Sequence, residues 1–330
     1  MRLLPRCLAR LIPGPAALAG VFAALLPLAA AQGADAAAAA CPPPPQQITS
    51  ESLNAGIRTA RDHGFLWRLS KDGRISWLYG TIHAARVEWM YPGPVTLDAL
   101  KRSDLLALEL DVLDPDVQRR LSASITGQKR EPLPPALTRR IERQLQAECA
   151  DVEAFAKYSP ELQIASLSVM AARRDGLDPA NAIDLVLAVL AREFGKPVAS
   201  LETPELQVQA LQMPSQTETI AFVSSALDDL ESGRTRPMLN RMAKVWTAGD
   251  YAELSRFESW CNCVDTAAER AAMKRMLDDR NPQLASAIDA LHSSGTVFAA
   301  VGSLHMIGPK GLPALLRQRG YRIEQADFAR

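Results

Sequence analysis

Leu78-Tyr79-Gly80-Thr81-Ile82-His83 runs from apolar, strand-forming residues into a glycine, a small hydroxyl residue, an aliphatic and a histidine. A matched segment, Ala300-Val301-Gly302-Ser303-Leu304-His305, stands near the other end of the chain. Each predicts a buried strand that stops at its glycine. The glycine lets the backbone leave the strand sharply, which places the imidazole at the rim of a sheet rather than inside it. With the two strands side by side, the two histidines converge.

Working outward, Phe65 to Ser70 and Ile75 to Gly80 flank Asp72-Gly73 and predict a β-hairpin turning at that dipeptide. Val95 to Arg102 has the apolar spacing of a short helix, and Asp104 to Val112 reads as a buried strand with Glu109 near its end. From Asp114 to about Arg192, leucines and alanines alternate with charges at helical spacing, and Pro132, Pro134, Pro135 and Pro160 mark helix boundaries. Gly195 to Glu202 reads as a helix stop followed by a brief buried strand ending in a carboxylate. Helices resume from Pro204 to about Arg280. Thr296 to Gly302 then predicts a strand, Gly311 to Arg319 a helix, and Tyr321 to Glu324 a closing strand. The expected class is α/β, of the α+β kind: a central mixed β-sheet built from N- and C-terminal strands, with flanking helices and a large helical middle region.

The beginning of the chain carries Arg2, Arg6 and Arg10, an apolar stretch from Ala16 to Leu28, and then Ala29, Ala30 and Ala31. That is the pattern of a secretory signal peptide, expected over residues 1–31. Residues 32–50 are rich in alanine and proline and predict a disordered spacer, with the folded domain spanning 51–330. No later run reaches the ~18 apolar residues of a transmembrane helix. The expected location is the periplasm or the medium. Acylation of Cys41, which follows a run of alanines, is a lesser alternative. Basic and acidic residues number 37 each, and no basic stripe is interleaved with aromatics, which argues against a nucleic-acid partner. After cleavage Cys41, Cys149, Cys261 and Cys263 remain, and an oxidising compartment favours disulfides. Closing Cys261 directly on Cys263 makes a very small ring, so Cys41 and Cys149 are expected to pair with them in either order.

Glu109 and Glu202 each end an apolar strand, which puts two carboxylates at the rim of the histidines if the strands run the same way. Two imidazoles and a carboxylate can hold a divalent metal ion with positions left open for water. The candidate ligands are His83, Glu109 and His305, and the candidate catalytic residues are Glu109, Glu202 and Arg280. Glu202 either holds a histidine ring nitrogen or caps the helix starting at Pro204. Arg280, beside Asn281, orients Glu109, binds a substrate carboxylate, or caps a helix end. His63 and His292 lie in polar settings and read as surface residues.

These marks, in this order, resemble the TraB/GumN family, which also includes PrgY and the animal Tiki proteases. They comprise Leu78 to His83, Ala107-Leu108-Glu109, Gly195 to Glu205 with Gln207, Arg280-Asn281, and Val301 to Gly308 with Gly311-Leu312, Leu316 and Gly320-Tyr321. The resemblance covers roughly Leu66 to Glu324. It implies a central sheet with flanking helices and, in Tiki-like members, a metal-dependent peptidase that needs two Gly-x-x-His histidines and a glutamate. Those roles fall on His83, His305 and Glu109, with Mn, Co or Zn as the ion and a peptide or small molecule as substrate. Erythromycin esterase and the haem-uptake protein ChaN share the fold more distantly. The scaffold therefore also accommodates a metal-free esterase-like hydrolase using a histidine base, and a non-enzymatic binder of haem or peptide. Ala182, before Ile183-Asp184, stands where the family pattern has a glycine, which puts any role for Asp184 in doubt.

Overall fold

The computed structural model describes residues 41–45, 50–126 and 131–328. The signal peptide expected over 1–31 lies outside the described residues, as does most of the 32–50 spacer. In chain order the elements are α1 (Ser50–Thr59), β1 (Phe65–Lys71), β2 (Arg74–Thr81), α2 (Pro94–Arg102), β3 (Leu105–Leu108), α3 (Pro115–Thr126), α4 (Pro135–Ala147), α5 (Val152–Phe155), α6 (Pro160–Met170) and α7 (Ile183–Glu193). They continue with β4 (Val198–Ser200), α8 (Pro204–Leu211), α9 (Gln216–Glu231), α10 (Thr235–Ala248), α11 (Tyr251–Leu254), α12 (Ala267–Met276), α13 (Asn281–Ser294), β5 (Val297–Gly302), α14 (Leu312–Gln318) and β6 (Arg322–Gln325).

One mixed sheet runs in the order β4-β3-β5-β2-β1-β6. The first four of these are mutually parallel, while β1 is antiparallel to both its neighbours. The expected α/β class and the assembly from both chain ends hold. At the hairpin turn Asp72 and Gly73 both have positive φ, the backbone of a two-residue turn that matches strand twist. Strand β5, Val-Phe-Ala-Ala-Val-Gly, is wholly buried because a central parallel strand is covered on both faces. Strand β4 departs from expectation: it is a half-exposed edge strand, flanked on one side only.

The sheet core joins Leu78, Leu106, Phe298 and Val301 to helices α7 and α13 through Leu187, Ala188, Leu284 and Ile288. A second core lies wholly among the middle helices, where Ile141, Leu145, Phe155, Leu167, Val223 and Leu227 pack together. The helical middle region thus has apolar packing of its own. Among the described residues no helix is long and apolar enough to cross a membrane.

The cysteines pair as Cys41–Cys149 and Cys261–Cys263, which corrects the expected cross-pairing. The intervening Asn262 adopts φ 53° and folds the chain back on itself. The Cα atoms of Cys261 and Cys263 thereby stand 5.1 Å apart, inside the ordinary range for a bridge. Cys41 Sγ is bonded to Cys149, which leaves no thiol there for acylation. His292 is also corrected, being buried rather than superficial. Ser76 Oγ lies 2.7 Å from its Nδ1, Nε2 meets the Lys71 carbonyl, and the ring packs edge-on to Tyr321. The end of α13 lies on the β1–β2 hairpin and covers it.

Candidate functional site

His83 follows β2, Glu109 follows β3, Glu202 follows β4 and His305 follows β5. Because these four strands are parallel, all four residues emerge at one edge of the sheet, the carboxyl edge where open α/β sheets place their ligands. Register sharpens the convergence. Gly80 pairs with Val301 and Thr81 with Gly302, so the two Gly-x-x-His segments leave the sheet side by side. Glu202 N–H donates to the Glu109 carbonyl, extending the β3–β4 pairing by one step and bringing the two glutamates together.

The glycines serve a purpose different from the one expected. Neither Gly80 nor Gly302 has positive φ, so neither is required by backbone shape. Both are favoured by proximity, since any Cβ there would press its neighbours by a few tenths of an ångström. A Cβ on Gly302 would stand 3.2 Å from Glu109 Oε1, 3.3 Å from His83 Nε2 and 3.8 Å from His305 Cδ2. A Cβ on Gly80 would stand 3.0 Å from Ser303 Oγ. The hydroxyl residues have distinct tasks: Ser303 Oγ donates to the Thr81 carbonyl and ties the two segments together, while Thr81 Oγ1 donates to Asp184.

Each imidazole is fixed from behind at Nδ1. That of His83 lies 2.9 Å from Asp184 Oδ2, and that of His305 lies 2.6 Å from Asn281 Oδ1. Asn281 is itself held by donating Nδ2 to the Lys310 carbonyl. On the inner side Arg280 Nη1 lies 3.3 Å from His305 Nε2, and a guanidinium can only donate. His305 is thus the Nδ1–H tautomer, with its Nε2 lone pair facing inward.

Arg280 stands at the centre. Its Nη2 donates to both Glu109 and Glu202, its Nε donates to Glu202, and Nη1 also donates to the Met276 carbonyl. Gln207 Nε2 donates to both glutamates as well, and Gly302 N–H donates to Glu109 Oε1. Among the described residues the hydrogen-bond partners of the Glu202 carboxylate are Arg280 and Gln207, and the side chain of Thr203 caps α8. The alternatives for Glu202 thus both give way to an ion pair with Arg280. For Arg280, contact with Glu109 is what the structure has.

Charge states diverge within this small volume. Burial alone would lower the His83 pKa, but the charge and hydrogen bond of Asp184, with Glu109 beyond, raise it to about 9. Burial brings His305 down to about 4 against the pull of Glu109, with Arg280 and His83 adding to the descent. Burial also opposes ionisation of Glu109, yet the surrounding imidazoles, Arg280 and the Gly302 amide hold it far below the carboxylate range. Burial raises Glu202, and the neighbouring Glu109 charge adds to the rise against the pull of Arg280 and Gln207.

A model of the TraB/PrgY/gumN family matches residues 65–325. The chain belongs to that family. No curated protein and no solved structure matches it. The TraB/PrgY/gumN match spans all six strands and every residue of the site just described.

Among those residues the sequence left Asp184 in doubt and treated Asn281 only as an adjunct of Arg280. The available signal for Asp184 was a lone carboxylate in the first turn of the helix Ile183–Glu193, which is otherwise apolar as far as Ala191. Among the described residues no three His, Cys, Asp or Glu side chains form a ready-made ion site in this arrangement, with Arg280 among them. The fit to a metal is one of donor chemistry. Two imidazoles anchored at Nδ1 and an ionised carboxylate face one space, as ligands with outer partners do.

Because three site atoms crowd the missing Cβ of Gly302, Gly302→Ala is expected to lower site function by about 10- to 100-fold while barely moving the melting temperature. Parallel melting and activity or ligand-affinity curves check this. A large fall in stability with an unaltered site would show that the glycine serves the fold instead.

Proposed function

We propose that this TraB/PrgY/gumN member is an exported, metal-dependent hydrolase acting on peptide bonds, with His83, His305 and Glu109 as ligands of a divalent ion such as Mn, Co or Zn. The observation that carries this reading is the meeting of His83 Nε2, Glu109 Oε1 and the His305 ring around the space left by Gly302. Such an ion supplies Lewis acidity toward a carbonyl and toward water. Asp184 and Asn281 orient the two imidazoles. Glu109, kept ionised, serves as an anionic donor. Glu202, the carboxylate whose pKa burial raises, is the one suited to take and return a proton. Arg280 and Gln207 hold the two glutamates in place and keep their roles apart. The two disulfides accord with export.

A second reading, a metal-free hydrolase using a histidine base, is favoured by the opposite protonation states of His83 and His305 at neutral pH. Protein recovered from the periplasm separates the two. Under the first reading, elemental analysis finds a divalent ion near equal stoichiometry, chelation abolishes peptide cleavage, and re-addition restores it. Cleavage that persists in metal-free protein overturns the first reading in favour of the second. Tight haem binding without any hydrolysis overturns both.

A further inference from the structure

Helix α10 presents Asn240, Ala243, Lys244 and Thr247 on one face, because residues three, four and seven apart line up along a helix. Facing them are Arg86 and Trp89 from the short turn that follows His83. Between the two lies a cavity of about 310 Å³, the volume of a small-molecule site. It is fixed relative to His83. Trp246, on the same helix, donates Nε1 to the carbonyl of Gly80 at 2.8 Å. His63, half-buried rather than the surface residue its polar setting suggested, packs against both Trp246 and Trp89, which also touch each other. Ala84, next to His83, joins Trp89 against the Ala243 cluster.

The lining combines two cations with an indole and a methyl floor. Arg86 and Lys244 are exposed, and the Arg86 guanidinium lies 6.0 Å from the Trp89 ring centroid. Among the described residues neither forms an ion pair. Asp175, the acid whose charge Arg86 influences, gives its oxygens to Arg236 and Asn240 instead. The cavity is therefore positively charged at its mouth and apolar along one wall.

We infer that this cavity binds a carboxylate whose neighbouring substituent is apolar or aromatic, as at the carboxy-terminal residue of a peptide. Arg86 and Lys244 receive the anion, and Trp89 with Ala243 receives the side chain. Use of the cavity for the departing end of a substrate rests on the hydrolytic reading above. It would place the cleaved bond close to a carboxyl terminus, since only Ala84 and Ala85 separate His83 from Arg86.

The test is calorimetric titration of the exported protein with N-acetylphenylalanine and with its carboxamide, in the native chain and in Arg86→Glu and Lys244→Glu. Both positions are exposed, and unfolding midpoints confirm that the variants are folded. The acid is expected to bind at least about 10-fold more tightly than the amide, a difference of ~1.4 kcal/mol, and each charge reversal should remove that preference. Equal affinity for acid and amide, no binding of either, or native affinity in both variants overturns the inference. The readout needs no turnover. Selective binding by a protein that hydrolyses nothing keeps this inference and overturns the hydrolytic reading, whereas hydrolysis without selective binding does the reverse.

Discussion

His83→Ala and His305→Ala are each expected to abolish metal uptake and to lower hydrolysis by about 10⁴-fold, with the double variant losing little more than either single one. The two rings line one space and are reached from adjacent, in-register strands, so removing either dismantles the same site. Members of a catalytic unit are non-additive for this reason. The measurement is turnover and bound metal for the native chain, both single variants and the double. Independent, multiplicative losses would mean that the histidines act separately. That outcome would favour the metal-free reading, in which one ring is a base and the other a bystander. Fold is the necessary control, and it differs between the two sites. Both rings are bonded at Nδ1, but the His83 side chain is 41% exposed whereas His305 is buried, so His305→Ala should cost more stability than His83→Ala.

Arg280→Met should destabilise the whole domain by about 3–5 kcal/mol, the scale expected when a buried ion pair loses one partner. The side chains of Arg280, Glu109 and Glu202 are 12%, 8% and 3% exposed, so removal of the guanidinium strands two neighbouring carboxylates away from water. The pH dependence follows in sign. Stranded carboxylates have folded pKa values above their unfolded ones, so the unfolded state releases protons first as pH rises. The deficit should therefore be small at acidic pH, where both carboxylates are protonated in either state, and should grow through the range above the ordinary carboxylate pKa. Glu202→Gln added to Arg280→Met should recover part of the loss, since one of the two stranded charges is gone. Urea unfolding at several pH values reads all of this. An unchanged midpoint would sink the view that Arg280 neutralises the site.

These two results bear on different links. The histidine variants test what the rim does, and the arginine variant tests how a rim carrying two buried carboxylates stays folded. Glu109 belongs to both, because its Oε1 faces the Gly302 space while its Oε2 accepts from Arg280. Glu109→Gln is accordingly a cleaner probe of that position than Glu109→Ala, which removes volume as well as charge.

The local chemistry of this chain was legible in its sequence. Alternating and continuous apolar runs announce β2, β3 and β5, the Asp72-Gly73 dipeptide announces the hairpin, and the repeated glycine, hydroxyl and histidine mark two equivalent exits from a sheet. Such signals depend on near neighbours, and near neighbours are what a sequence displays. Only the tertiary structure decided that four parallel strands bring Glu202, Glu109, His305 and His83 to one edge in that order. It likewise decided that Asp184 stands behind His83, that Arg280 joins the glutamates, and that Gly302 is glycine for want of space rather than for backbone freedom. Cysteine pairing was missed for a related reason, because a left-handed Asn262 can close a ring that residue spacing alone makes look too small. Composition and periodicity fix which residues prefer a strand or a buried face. Which side chains then touch depends on strand order and register, and those are set by the packing of the whole chain.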